Sequence, residues 1–436
     1  MKELVNIFWF RRDLRFRDNA GLYYALSAGL PVVPVFIFDT HILNTLDDRS
    51  DARVHFIHNS LEELQEQLLH HESSLHIINA SPVEAFTLLK QEYNIRTVFT
   101  NHDFEPYAVQ RDMEVERSLA AGGVFFKTFK DHVIFEKDEL MKTDGSCYTV
   151  YTPYSNKWLQ SLKQSDLIQF DSESLMHYFL KQPERIIPSL ASIGFSGSNI
   201  PLPPSHVREE VIGKYDLTRN FPGQGGTSQL GVHLRFGTIS IRHLVQTALK
   251  LNQVFLKELI WREFFMQLLW HKPHLQNQCF KRQYESIKWR NSEAEFIRWC
   301  SGNTGYPIVD AGMRELNHTG FMHNRVRMIT ASFLVKHLLI DWRWGESYFA
   351  SKLLDYELAS NNGNWQWVAG CGCDAAPYFR IFNPLLQAKK FDPQQLYIKK
   401  WVPEFGFPQY PTPIVNHEEA RKRCLAVYGN AVATKL

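Results

Sequence analysis

The stretch Asn361 to Ala376, NNGNWQWVAGCGCDAA, sets two tryptophans two residues apart among small side chains, just after Asp355 and Glu357. Nine of the eleven tryptophans lie between Trp261 and Trp401. Indole can lose one electron and offers a flat face to a nucleobase, so this density suits redox chemistry and base stacking as well as core packing. In KELIWREFF, 257–265, Glu258, Trp261, Arg262 and Phe265 stand at i, i+3, i+4 and i+7 and share one helix face. Burying such charges unpaired costs on the order of several kcal/mol each. The face is therefore either an internal ion pair or the floor of a pocket for a polar aromatic ligand, and the residues alone leave both open. In MHNRVRMITASFL, 322–334, Asn324 and Met328 are at i and i+4, with Arg325 and Arg327 beside them. The plainer reading there is a capped helix N-terminus with surface arginines. Asp355 and Glu357 cannot both be core residues unless paired, and Arg327 is a plausible counter-ion. The glycine-rich run NFPGQGGTSQLGVHLRFGTIS, 220–240, has backbone N–H groups and hydroxyls able to cradle a phosphate, a weak signal by itself.

These groups need a scaffold, and the chain predicts two kinds. Four apolar runs, 5–10, 31–38, 75–80 and 97–103, read as strands buried on both faces. Segments 55–70 and 82–93, between them, have helical spacing. This alternation predicts a doubly wound parallel sheet over residues 1–130, with ligands beyond the strand C-termini. No GxGxxG follows the first strand, so an ordinary dinucleotide fingerprint is absent. Residues 131–205 read as a surface connector rich in Pro, Gly and Ser. Residues 206–436 read as an α-helical domain, with helices over 206–217, 240–250, 254–271, 292–301, 307–318, 323–340 and 345–356 and a short one at 417–427.

At 436 residues the chain exceeds one ordinary core, which makes two domains the expectation. The net charge of +2 conceals an asymmetry: from His206 onward there are 29 Lys and Arg against 19 Asp and Glu, leaving the first part acidic. A basic, aromatic-rich half suits a polyanion. The six cysteines form no paired framework, and the CxC at Cys371 and Cys373 has no second cluster, so neither disulfides nor a metal site is expected. With no signal-peptide pattern and no membrane-length apolar run, a cytoplasmic protein is expected.

The motifs together resemble the photolyase/cryptochrome flavoprotein family, most closely its class I cyclobutane pyrimidine dimer photolyases. The resemblance runs from FRRDLR at 10–15 through TGYPIVDAGMREL, 304–316, to DAAPYFRIFNP, 374–384, and is densest over 215–384. It implies an N-terminal Rossmann-like antenna domain and a C-terminal helical domain holding FAD, active as FADH⁻. Tyr215 with Thr227, Ser228, Gln229, Leu230 and Gly231 match the segment that holds the FAD phosphates and ribose. Arg262, Tyr356 and Glu357 match further cofactor contacts. Arg327 and Asp355 match a pair near the isoalloxazine pyrimidine edge, and Asn361 the residue facing flavin N5. A neutral amide can both donate to and accept from N5, which favours repair chemistry.

The resemblance also implies that Trp365, Trp342 and Trp289 relay an electron from the surface to the flavin. Trp261 and Trp367 match the indoles that clamp a flipped dimer, Glu258, Asn324 and Met328 its pocket contacts, and Arg325 a DNA-backbone contact. Arg262, Phe265 and Arg380 are further lesion or DNA contacts on this reading. The lesion must leave the duplex to reach the flavin. Neither Asn324 nor Met328 is the histidine of six-four photolyases, which fits a cyclobutane ring opened by electron donation and return without a proton shuttle. The expected partner is UV-damaged DNA, single- or double-stranded, with little sequence specificity, bound by a monomer that needs no protein partner and no membrane.

Several positions depart from the family pattern. Gln229 stands where many relatives have arginine, Gly231 where serine is common, and Glu357 replaces an aspartate. Tyr107 and Ala108 stand where folate-binding relatives have Asn-Glu, which favours a deazaflavin-type antenna. The alternatives are a cryptochrome photoreceptor without repair, disfavoured by Asn361, the clamp tryptophans and the lack of a long C-terminal extension, and a dark electron-transfer flavoprotein. The DASH branch is disfavoured by WQW in place of WTY.

Overall fold

The computed structural model describes residues 2–433. It divides into two compact units. One comprises Met1–Glu139, Ser161–His206 and Leu230–Thr247; the other comprises Leu140–Gln160, Val207–Gln229 and Ala248–Leu436.

The first unit is built on a five-stranded parallel sheet in the order β3-β2-β1-β4-β5. Its strands are β1 (Leu4–Phe10), β2 (Val32–Asp39), β3 (His76–Ala80), β4 (Asn94–Asn101) and β5 (Phe125–Phe129). β1 is buried from Val5 on and β2 throughout, as a strand covered on both faces requires. Val5, Ile7, Val33, Val35 and Val98 pack with Phe86 and Leu89 in one core cluster. Helices α1 (Ala20–Leu26), α2 (Ala52–Leu69), α3 (Pro82–Glu92) and α4 (Pro106–Ala120) connect the strands. Asn19, Asp51 and the Ser81/Glu84 capping box start the first three. The strand order reverses between β1 and β4, the switch point at which doubly wound sheets open a crevice. The expectation missed β5, a short edge strand with only partial burial and a polar Lys127-Thr128 pair.

In the second unit no strand occurs among the described residues. Its site is carried by α5 (Gln253–His271), α7 (Asn324–Ser332), α8 (Trp342–Lys352) and α9 (Leu358–Ala369), with α6 (Pro307–Thr319) packed on α7. The expected helix over 206–217 is two short pieces, Glu209–Gly213 and Tyr215–Thr218. The expected helix 323–340 stops at Ser332 and passes into a π turn, Phe333–His337, where the Lys336 ammonium donates to the Ala369 carbonyl at 2.9 Å. The expected helix 345–356 begins earlier, because Asp341 caps it at Arg343 N, and ends at the extended residue Leu353. α9 was not expected: Asn361, Asn362, Gly363 and Asn364 in its middle are poor helix formers, and it forms because tertiary packing buries it.

The compact units do not follow the expected boundaries at 130 and 205. Residues 131–139 stay with the sheet because Asp131 is buried against Arg15 at 2.6 Å and Arg242 at 2.7 Å. Leu140–Gln160 belongs to the helical unit, tied by Trp158 Nε1 and Tyr154 Oη donating to Glu263 Oε1 at 2.6 and 3.2 Å. Nor is the connector only a surface strap: Phe179 is buried and forms a parallel bridge with Val32, and Leu180 N donates to Val32 O at 2.8 Å.

Candidate functional site

Within the helical unit a cavity of about 340 Å³ is lined by α5, α7, α9 and the loop after α8. α5 starts where Asn252 caps Val254 N and Phe255 N. Its four predicted residues, Glu258, Trp261, Arg262 and Phe265, all face the cavity. α7 contributes Asn324, Arg327, Met328 and Ala331, again at i, i+3, i+4 and i+7. Its N-terminus is capped by His323 Nδ1, which accepts from Arg325 N at 3.2 Å. Burial, with Arg325, Arg327 and Arg219 adding to it, lowers His323 to about 4, so this cap is a neutral imidazole at pH 7.

The charges at the cavity are paired, but incompletely. Arg327 Nη2 donates to both oxygens of Asp355, at 3.1 and 2.8 Å, the counter-ion relation expected from sequence. Arg262 lies 3.6 Å from Glu357. Glu258 pairs with Arg219, a lining residue the sequence reading missed. Burial raises the Glu258 carboxyl above the usual carboxylate range, with Arg219 opposing. Asn361 Nδ2 donates to the Glu346 carbonyl at 3.1 Å and to Glu346 Oε1 at 2.9 Å. Burial raises Glu346 too, against the Asn361 hydrogen bond. With its N–H groups so engaged, Asn361 has its carbonyl oxygen left to accept from a ligand N–H.

Two close approaches fix the aromatic walls. A Cβ on Gly363 would stand 2.2 Å from the Phe265 ring, so α5 and α9 meet where only glycine fits. A Cβ on Gly345 would stand 2.2 Å from Trp365. Trp365 lines the cavity and is 3% exposed, Trp342 is 1% exposed and does not line it, and Trp289 is half-buried. Trp367 completes the lining from α9.

Thirteen predicted site residues thus converge on one cavity: Glu258, Trp261, Arg262, Phe265, Asn324, Arg327, Met328, Asp355, Tyr356, Glu357, Asn361, Trp365 and Trp367. Others do not line it: Tyr215, Thr227, Ser228, Gln229, Leu230, Gly231, Trp342, Trp289, Arg325 and Arg380. Leu230 and Gly231 fall in the sheet unit, and the helix they open, Gly231–Phe236, has only six residues. Arg325 Nη2 donates to Asn220 Oδ1 at 2.7 Å, and its Nε has no hydrogen-bond partner among the described residues. Burial, then Arg219 and Arg380, lowers its guanidinium from the ordinary value. Beyond Arg219, the sequence reading missed Ala331, Phe349, Leu353, Ser360, Asn364 and Val368. Ser360, Asn364 and Val368 continue the α9 face of Asn361, a signal legible only once a helix is assigned there.

Two family models match the chain: the FAD binding domain of DNA photolyase over residues 255–409, and DNA photolyase over residues 6–172. A deoxyribodipyrimidine photo-lyase of Synechococcus sp. is 36% identical, over 98% of this chain and 97% of its own length. The crystal structure of a class III photolyase from Agrobacterium tumefaciens matches with a TM-score of 0.85 at 32% identity, over 100% of this chain and 99% of that one. An archaeal photolyase from Sulfolobus tokodaii, solved with two FAD molecules, matches with a TM-score of 0.79 at 35% identity, over 97% of this chain and 99% of that one. With a cavity of this composition lined, apart from Arg219, by the matched flavin-binding segment, and likeness extending over nearly its whole length, the chain belongs to the photolyase/cryptochrome family of DNA photolyases.

Proposed function

We propose that this protein repairs cyclobutane pyrimidine dimers in DNA, using light and an FAD held in the α5–α7–α9 cavity. The observation that carries the reading is the convergence of Glu258, Trp261, Asn324, Met328, Asn361 and Trp367 on that one cavity. The relatives named deoxyribodipyrimidine photo-lyase support it. The lining fits a flavin ring: Asn361 offers a carbonyl acceptor, and Arg327 and Asp355 present a donor and an acceptor together. Reduced FAD, when bound, supplies a donor that gives up one electron after absorbing blue light.

The protein's own groups then do the rest. Trp261 and Trp367 offer indole faces on which an extruded dimer stacks. Glu258 offers a carboxyl whose raised affinity for a proton suits it to hydrogen-bond the lesion. Asn324 and Met328 carry no titratable group, in keeping with a ring opening that needs no net proton transfer. Trp365 lines the cavity, Trp342 is buried and Trp289 is half-buried, a gradient of exposure suited to relaying electrons inward. Arg325 and the exposed Arg380 supply sequence-independent phosphate contacts. In the cofactor segment, Tyr215, Thr227, Ser228, Gln229, Leu230 and Gly231 are proposed as the phosphate and ribose contacts.

A second chromophore is proposed for the sheet unit, of deazaflavin rather than folate type. Tyr107, at the position where the resemblance leads to Asn in folate-binding relatives, donates to Asp39 Oδ2 at 2.6 Å, at the C-terminal end of β2.

The test is repair of a thymine-dimer oligonucleotide by the reduced, FAD-loaded protein, in the dark and under blue light. Light-dependent recovery of thymines is the expected result. Bound, photoreducible FAD with no dimer splitting would overturn the reading in favour of a photoreceptor or of another lesion.

A further inference from the structure

The half-buried Trp261 does not stand alone. The ring of Tyr151 lies parallel to its indole, at a centroid distance of 3.6 Å and an interplanar angle of 5°. Trp261 lines the cavity and Tyr151 does not. The tyrosine therefore stacks on the indole from outside the lining, while the lining residue Phe265 packs on the same indole at 5.4 Å and 30°.

Tyr151 is itself tightly held. It is 8% exposed and begins the helix Tyr151–Ser161. Its hydroxyl donates to Lys257 O at 2.8 Å, one turn before Trp261 on α5. Burial pushes the phenol up to about 12, with the Glu258 charge adding to that and Ser155 opposing, so this donor stays protonated at every working pH. Its backbone N–H donates to Asp374 Oδ2 at 3.1 Å, in the loop that follows α9. The same helix is anchored further along by Tyr154 and Trp158 on Glu263 of α5. Tyr151 thus ties the helix bearing Trp261 to the loop behind the helix bearing Trp367.

We propose that Tyr151 is a positioning residue for lesion recognition, fixing the plane of the Trp261 indole that an extruded pyrimidine dimer meets from the cavity. The inference rests on the repair reading above. An unsupported indole can turn about two side-chain torsions and must be ordered when the lesion arrives, which weakens binding; a pre-set indole avoids that loss. Aromatic stacking of this kind prefers a flat partner, so the shape of residue 151 matters more than its hydroxyl.

The test compares Tyr151→Phe, which keeps the ring, with Tyr151→Leu, which keeps apolar bulk without a flat face. Tyr151→Met fills the same space with a flexible chain and replaces the leucine variant if that one does not fold. Each is assayed as the full FAD-loaded protein for the ratio of its affinities for dimer-containing and undamaged oligonucleotides, and for repair at saturating and at limiting dimer. The leucine variant is expected to lose about 3- to 10-fold in that ratio. Its affinity for undamaged DNA, its FAD content and its repair rate at saturation should be unchanged, and the phenylalanine variant should match wild type. A folded, FAD-loaded leucine or methionine variant with wild-type discrimination would overturn the proposal. So would an equal loss in the phenylalanine variant. Wild type with no preference for the dimer would instead overturn the repair reading itself.

Discussion

Two sets of buried charges, one in each unit, are solved in opposite ways. In the sheet unit, Asp131 meets Arg15 at 2.6 Å and Arg242 at 2.7 Å, and Arg242 also meets Asp18 at 2.8 Å. Burial alone would raise the Asp131 carboxyl, but Arg15 and Arg242 outweigh it and hold it well below the usual range. Arg242 is correspondingly raised, the carboxylates outweighing its own burial. Asp131, Arg15, Arg242 and Asp18 are answered within this set. In the helical unit, burial wins instead: Glu258 and Glu346 are raised and Arg325 is lowered. Arg325 is crowded by Arg219 and Arg380, and its Nε has no hydrogen-bond partner among the described residues. The first arrangement holds a fold together. The second is poised for groups that arrive from outside, which is where perturbed residues in a cleft point to function.

Substitutions can break or sharpen that contrast. The largest effect is expected from Asp131→Asn, which leaves Arg15 and Arg242 buried against a neutral amide. A loss of about 3–5 kcal/mol is expected in the denaturant-induced unfolding of the sheet unit. An unchanged transition would erase the contrast between the two units. Trp261→Ala should leave undamaged-DNA binding intact while weakening dimer-DNA binding about 10- to 100-fold, read by titration with a labelled lesion oligonucleotide.

Gly363→Ala tests the helix contact behind the cavity. Its methyl would meet Phe265 at 2.2 Å, and a cost of about 1–3 kcal/mol is expected, with loss of FAD retained through gel filtration. The smallest effect is expected at Glu258→Gln. Burial raises the folded-state value of Glu258, so ionising it opposes folding, and wild type loses stability as pH rises through that value. Glutamine stays neutral. The variant should therefore melt about 1–2 °C above wild type near pH 8, and the gap should close as pH falls toward about 4. A gap of opposite sign would mean that the Arg219 pair outweighs burial.

Part of this was legible in advance. Continuous apolar runs marked β1 to β4; β1 and β2 are covered on both faces as such runs require, whereas β3 is an edge strand with only partial burial. The 3.6-residue period brought Glu258, Trp261, Arg262 and Phe265 to one face, and the need to pair a buried carboxylate picked Arg327 for Asp355. Local chemistry sufficed wherever the partners lay within one helix or were forced by charge.

The rest was decided by contacts distant in sequence. α9 runs through Asn361–Asn364 because it is buried, although those four residues disfavour helix. The 131–205 segment is divided between units by Asp131 on one side and by Trp158 on Glu263 on the other. Arg219 reaches Glu258 across 39 residues, and Tyr151 reaches Trp261 across 110. The sequence determined which side chains could do chemistry and which helix faces would carry them. Only the tertiary structure decided which of those faces meet, because a pairing between segments far apart in the chain leaves no periodicity in either of them.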